Sequence, residues 1–179
     1  MKETSSNAYL ISIAGEDRVG VVSNVTGYLF EIGANLADTA YAVLGEGFEF
    51  SCVADLVDLM TPEELEEGLI SLPALKGTRI NVAKFPFGVD RPDMGEISHV
   101  LEVQGGDRTG LVSRISDVLQ QFDSNIVRMN SRRVDTGQNE LEYRMRFALN
   151  IPADKVTQLD NTLSNVVGSM RLKMEFNPV

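Results

Sequence analysis

A chain of 179 residues with 43% hydrophobic and 23% charged residues has enough apolar material for a folded core and is not a disordered segment. Its formal net charge of −10 argues against direct contact with a nucleic-acid backbone, where Lys and Arg neutralise phosphates. The apolar runs fall far short of a membrane span, the polar start from Met1 to Asn7 offers no signal peptide, and a single cysteine, Cys52, excludes an internal disulfide.

Tyr9 to Ala14 is an apolar run ending at Gly15, as expected of a buried strand. The turn Gly-Glu-Asp-Arg-Val-Gly at 15–20 follows, and then Val22, Val25, Leu29 and Ile32 recur at helical spacing. Gly33 closes that helix. Two strands, 35–44 and 48–56, are joined by Gly45-Glu46-Gly47, a hairpin connection. Thr61-Pro62-Glu63-Glu64 is a capping box with proline at the first helical position, and Leu65, Leu69 and Leu72 form the stripe behind it. A strand at 79–85 ends the first half, and Pro86 to Glu96, with Pro92 and two glycines, reads as linker.

From His99 the order repeats. Gly-Gly-Asp-Arg-Thr-Gly at 105–110 restates the first turn 90 residues on, and Val112, Ile115, Leu119 and Phe122 restate the helix stripe. Asp123-Ser124 stands where Gly33 stood, so this helix end is expected to be built differently. Strands at 126–134 and 141–149, joined around Asp135-Thr136-Gly137-Gln138, precede a helix striped by Val156, Leu159, Leu163 and Val166 and a last strand at 171–176. In the strand 141–149, Arg144 and Arg146 alternate with the apolar set and should project from the sheet face away from the helices.

Strand, helix, strand, strand, helix, strand, twice over, is an α+β architecture of two tandem ferredoxin-like βαββαβ domains, each an antiparallel sheet with both helices on one face. The expected limits are 1–86 for the first domain, 87–96 for the linker and 97–179 for the second. The halves differ in surface: residues 1–90 carry 5 basic and 14 acidic side chains, a net of −9, and residues 91–179 carry 11 and 12, a net of −1.

Little in the chain suggests catalysis. His99 is the only histidine and is expected at the surface. Cys52 shares strand parity with Phe48 and Phe50, as a buried inert thiol would. No metal-ligand spacing and no phosphate-binding Lys-Ser/Thr loop occurs, so neither a metal nor a cofactor is expected. The acidic run Glu63, Glu64, Glu66, Glu67 reads as the solvated face of a capped helix. The repeated turns are the candidates for binding. A helix start presents backbone N–H groups that suit an anion, and Gly20 and Gly110 lack a Cβ that would keep a carboxylate away. Equally, Asp17 and Asp107 stand where an N-cap belongs, and the glycines satisfy the turn alone. Asn35 and Asn125, where the chain enters the next strand, could add an amide near the turn.

A strand, then Asp-Arg-x-Gly opening a helix, then Gly33-Ala34-Asn35-Leu36 entering the second strand, resembles the ACT domain; Asp123-Ser124-Asn125-Ile126 keeps the asparagine and loses the glycine. Ala42-Val43-Leu44-Gly45-Glu46-Gly47-Phe48-Glu49-Phe50 is similar to the Leu-Gly-Glu-x-Phe hairpin of the glycine cleavage system transcriptional repressor group, although the second Asp-Arg-Thr-Gly turn is fuller than that group implies. The resemblance implies a non-catalytic, cytoplasmic regulator that binds a small amino acid, glycine among the candidates, between paired domains. It implies a homo-oligomer working through a protein partner such as a transcription factor, without direct nucleic acid or membrane contact. The implied ligand residues are Asp17, Arg18, Val19, Gly20, Val21, Asn35 and Leu36 in the first copy, and Asp107, Arg108, Thr109, Gly110, Leu111, Asn125 and Ile126 in the second. A detached regulatory subunit that controls a metabolic enzyme is the alternative reading.

Overall fold

A computed structural model describes residues 7–89, 93–135, 137 and 141–179, and leaves the side chain of Met94 undescribed. Residues 1–6 of the polar start, Pro92 of the linker, and Thr136 and Gln138 of the second hairpin lie outside the described residues. Contacts divide the chain into two compact units, Met1–Asp90 and Arg91–Val179.

The first unit runs β1 (Ala8–Glu16), α1 (Val21–Glu31), β2 (Ala34–Leu44), β3 (Gly47–Leu56), α2 (Pro62–Ile70) and β4 (Arg79–Lys84). The second runs β5 (His99–Gly106), α3 (Leu111–Gln121), β6 (Asn125–Asp135), β7 (Leu141–Asn150), α4 (Val156–Ser169) and β8 (Lys173–Pro178). Each forms one antiparallel sheet, ordered β2-β3-β1-β4 and β6-β7-β5-β8, so β2 and β6 are edge strands. Both are the expected βαββαβ units.

Alternation puts Tyr9, Ile11, Ile13, Phe50 and Cys52 on the helix side of the first sheet, packed with Val25, Leu29, Leu65 and Leu69. The second core repeats this with Leu101, Val103, Met145, Phe147, Ile115, Leu119, Leu159 and Leu163. The stripe of α1 differs by one residue from the sequence expectation. Val21, Val25 and Leu29 are buried, whereas Val22 is exposed. An i, i+4, i+8 row follows the 3.6-residue turn as well as i, i+3, i+7 does, and Val21 belongs to the buried core cluster. In α3 the buried set is likewise Leu111, Ile115, Val118 and Leu119.

The helix ends follow their sequence signals with one substitution. Thr61 and Glu64 form the reciprocal capping box at the start of α2. Gly33 is left-handed (φ 74°) after α1, and Asp123 adopts the same conformation (φ 52°) after α3. Asp is among the few non-glycine residues that visit this region readily, and its carboxylate pairs with Lys155. The last strand starts two residues later than the spacing suggested, because Arg171 is itself left-handed (φ 56°). His99, expected at the surface, is partly exposed: its ring stacks on Phe176 (5.1 Å) and its Nδ1 lies 3.0 Å from Ser98 Oγ. Arg144 and Arg146 are exposed as expected, but pair with Glu142 (2.7 Å) and Glu102 (3.2 Å), which offsets their charge within the sheet.

Cys52 is buried, and loss of solvation pushes its thiol up to about 12. The folded chain therefore holds this proton more tightly than the unfolded chain. Its contribution to stability is constant below pH about 9 and is lost as pH rises towards about 12. Burial raises Tyr28 as well, in the same sense. A thiol reagent at pH 8 should label Cys52 only as fast as the protein opens. Stoichiometric labelling of the folded chain within seconds would contradict this burial.

Candidate functional site

The first turn leaves the sheet at Glu16 and enters α1 through Gly20, which is left-handed (φ 94°). Gly20, not Asp17, is the N-cap, and no side chain caps the helix. The second copy is built alike, with Gly110 (φ 84°) and not Asp107 at the cap. The first helical hydrogen bonds run from Asn24 N–H to the Gly20 carbonyl (2.9 Å) and from Arg114 N–H to the Gly110 carbonyl (3.0 Å). Backbone N–H groups of Val21, Val22 and Ser23 thus open α1 with no acidic residue in its first turn. Such a helix start favours an anion.

Asp17 is released from capping and serves elsewhere. Its N–H donates to the Glu46 carbonyl (3.1 Å), which ties the turn to the β2–β3 hairpin. Its carboxylate accepts the Tyr41 hydroxyl (2.6 Å). Tyr41 stacks on the buried Phe48 (5.7 Å, 20°), so the hydrogen bond is anchored on the core. That donation to Asp17 holds the Tyr41 phenol above its ordinary value. Between the turn, the start of α1 and the edge strand lies an open groove of about 520 Å³, lined by Asp17 to Ser23 with Tyr41 and Val43. Val19, Val22, Tyr41 and Val43 expose apolar surface around it.

Asp17, Arg18, Val19, Gly20 and Val21 therefore share one groove. Asn35 and Leu36 do not join it within the unit. Asn35 pairs with Asp55, which faces Ala8 at the start of β1, whereas the turn follows Glu16 at its end. Eight residues at 3.3 Å each put about 26 Å between them. Asn125 and Ile126 stand equally far from Asp107 to Leu111, because Ile126 pairs with Leu149 opposite His99. An asparagine amide near its own turn is thus not what the fold builds. Sequence reading missed Tyr41, Val43, Val22 and Ser23. The available signal was parity: Tyr41 and Val43 alternate onto the helix side of a strand whose neighbours are small or polar.

Register shows how the copies correspond. Phe48 faces Gly15 and Val43, and Tyr143 faces Gly105 and Arg133. Arg133 therefore stands where the first unit has Val43, and Ser131 where it has Tyr41. The chemistry differs accordingly. Arg133 Nε lies 2.7 Å from the Asp107 carboxylate, and the Tyr143 hydroxyl donates to Ser131 Oγ (2.7 Å). Among the described residues no cluster of His, Cys, Asp and Glu could hold a metal, and no helix is long and apolar enough to cross a membrane.

The first βαββαβ unit carries an open groove after its first strand, and residues 7–74 match the model of the ACT domain. The chain consists of two tandem ACT-like units of the same topology, and the first of them matches the ACT-domain model. It resembles the glycine cleavage system transcriptional repressors of Escherichia coli (strain K12) and Shigella flexneri, each 30% identical over 129 residues. That match covers 72% of this chain and 66% of those relatives, just under two thirds of their length. Among solved structures, a protein of unknown function from Galdieria sulphuraria is 25% identical with a TM-score of 0.76, covering 98% of this chain and 99% of that one. A second, provisionally assigned as a glycine cleavage system transcriptional repressor, shares the fold with a TM-score of 0.68 at 14% identity, over 98% and 99%.

Proposed function

We propose that this chain is a non-catalytic regulator that binds a small amino acid in the groove at Asp17–Ser23 and passes that signal to a protein partner that controls transcription. The observation that carries the reading is the uncapped start of α1, whose free N–H groups open beside a carboxylate held in place by Tyr41. One end of the groove suits the ligand's carboxylate, and Asp17 suits its ammonium. Val19 and Val43 leave room for a small side chain. Glycine is the candidate suggested by the repressor resemblance. The net charge of −10 favours action through a partner and not through DNA directly.

The positions of Asn35 and Leu36 favour a homo-oligomer. β2 is an edge strand, and Asn35 and the turn lie at its opposite ends. Antiparallel pairing of two β2 edges would bring Asn35 of one copy towards the turn of the other. A ligand held there would bind the pair and the single chain with different affinity, which is what a regulatory response requires. The free thiol of Cys52 fits a cytoplasmic setting.

A thermal-shift screen over the twenty amino acids tests the reading. A ligand at a hundred times its Kd should add about 2.7 kcal/mol to a one-site protein. A flat response to all twenty at millimolar concentration would remove the amino-acid sensor from consideration.

A further inference from the structure

The two turns share backbone geometry but not occupancy. In the first unit the Asp17 carboxylate accepts the neutral Tyr41 hydroxyl, with no other partner among the described residues, and Val43 lines the same groove. In the second unit that position is Arg133, whose guanidinium sits 2.7 Å from the Asp107 carboxylate. A cation already occupies the place that, in the first unit, is open to a ligand's ammonium. We propose that Arg133 is an internal stand-in for the ligand's amino group, so that the chain binds one amino acid, at its first unit, and residue 43 or 133 decides which unit binds. This rests on the amino-acid reading above.

The stand-in need not be strongly bonded. Arg133 is 67% exposed and Asp107 24%, and exposed ion pairs are individually weak. What matters is tethering. A group on a short flexible link acts at an effective concentration of about millimolar or more, so a free amino acid's ammonium has to compete with it for Asp107. The fork of Arg also satisfies a carboxylate more fully than an ammonium does. Beyond competition, Arg133 adds a charge to a wall that is apolar in the first unit, so a small apolar side chain loses its contact there.

The reciprocal exchange tests this by calorimetry on the full chain, with the amino acid found in the thermal-shift screen as probe. Wild type should bind one equivalent per chain. Val43→Arg should weaken that binding at least tenfold; Val43 is exposed, so the variant should fold, and circular dichroism verifies that. Arg133→Val should leave the first Kd unchanged and raise the stoichiometry towards two. Two equal sites in wild type, undiminished binding in Val43→Arg, or a stoichiometry still at one in Arg133→Val would each overturn the proposal. A wild-type chain that binds none of the twenty would instead sink the amino-acid reading, and is distinguishable for that reason.

Discussion

Phe50→Ala is expected to destabilise the first unit by about 3–5 kcal/mol, the range for a fully buried aromatic truncated to alanine. Phe50 is wholly buried in the centre of β3, within the cluster that joins the sheet to α1 and α2. Nothing polar is lost, so the effect is apolar transfer plus the cavity left behind. A domain of this size holds about 5–15 kcal/mol in total, so the variant should sit near its folding threshold at 37 °C. Denaturant melts followed by circular dichroism measure it. A loss under 1 kcal/mol with an unchanged denaturant slope would mean that the core described here is not the one the protein uses.

Gly20→Val is expected to abolish amino-acid binding. Two effects act together. A φ of 94° is an outlier for a β-branched residue and costs on the order of 1–3 kcal/mol, so the turn will shift. The added Cβ would also stand 3.3 Å from the Asn24 amide nitrogen, which donates to the Gly20 carbonyl. The sequence alone suggested crowding of the ligand; the backbone conformation is the stronger reason. Gly110→Val is the control for strain. It carries the same conformational cost (φ 84°) with open space around its Cβ, and should leave binding intact if the second turn is self-occupied. Unchanged calorimetric binding in folded Gly20→Val would place the site elsewhere.

The fold was legible because it is written twice. The repeated turn and the two helix stripes restrict each other, and the capping box at Thr61 and the glycine after α1 mark element ends directly. What stayed hidden depends on contacts between distant residues. Whether Val21 or Val22 faces the core is a matter of how α1 lies on the sheet, since both fit a helical stripe. Asp17 looked like a cap, but the left-handed Gly20 moves the cap three residues on and frees the carboxylate for Tyr41. Asn35 follows the turn by only fifteen positions, yet α1 carries the chain back along the sheet and leaves it at the far end. The ion pair between Asp107 and Arg133 joins residues 26 positions apart, which neither periodicity nor the repeat reveals. Thus the repeat disclosed two equivalent turns, and only geometry disclosed that their surroundings differ.

The most direct test of an amino-acid groove at the first turn is a titration of the ¹⁵N-labelled chain with the small amino acids, glycine first, followed by amide resonances. Saturable shifts should concentrate at Val21, Val22 and Ser23, with Asp17 and Tyr41 following and Leu111 to Ser113 staying still. Saturable binding that leaves residues 17–23 unmoved, or no shift at any amide with any of these ligands, would contradict the account.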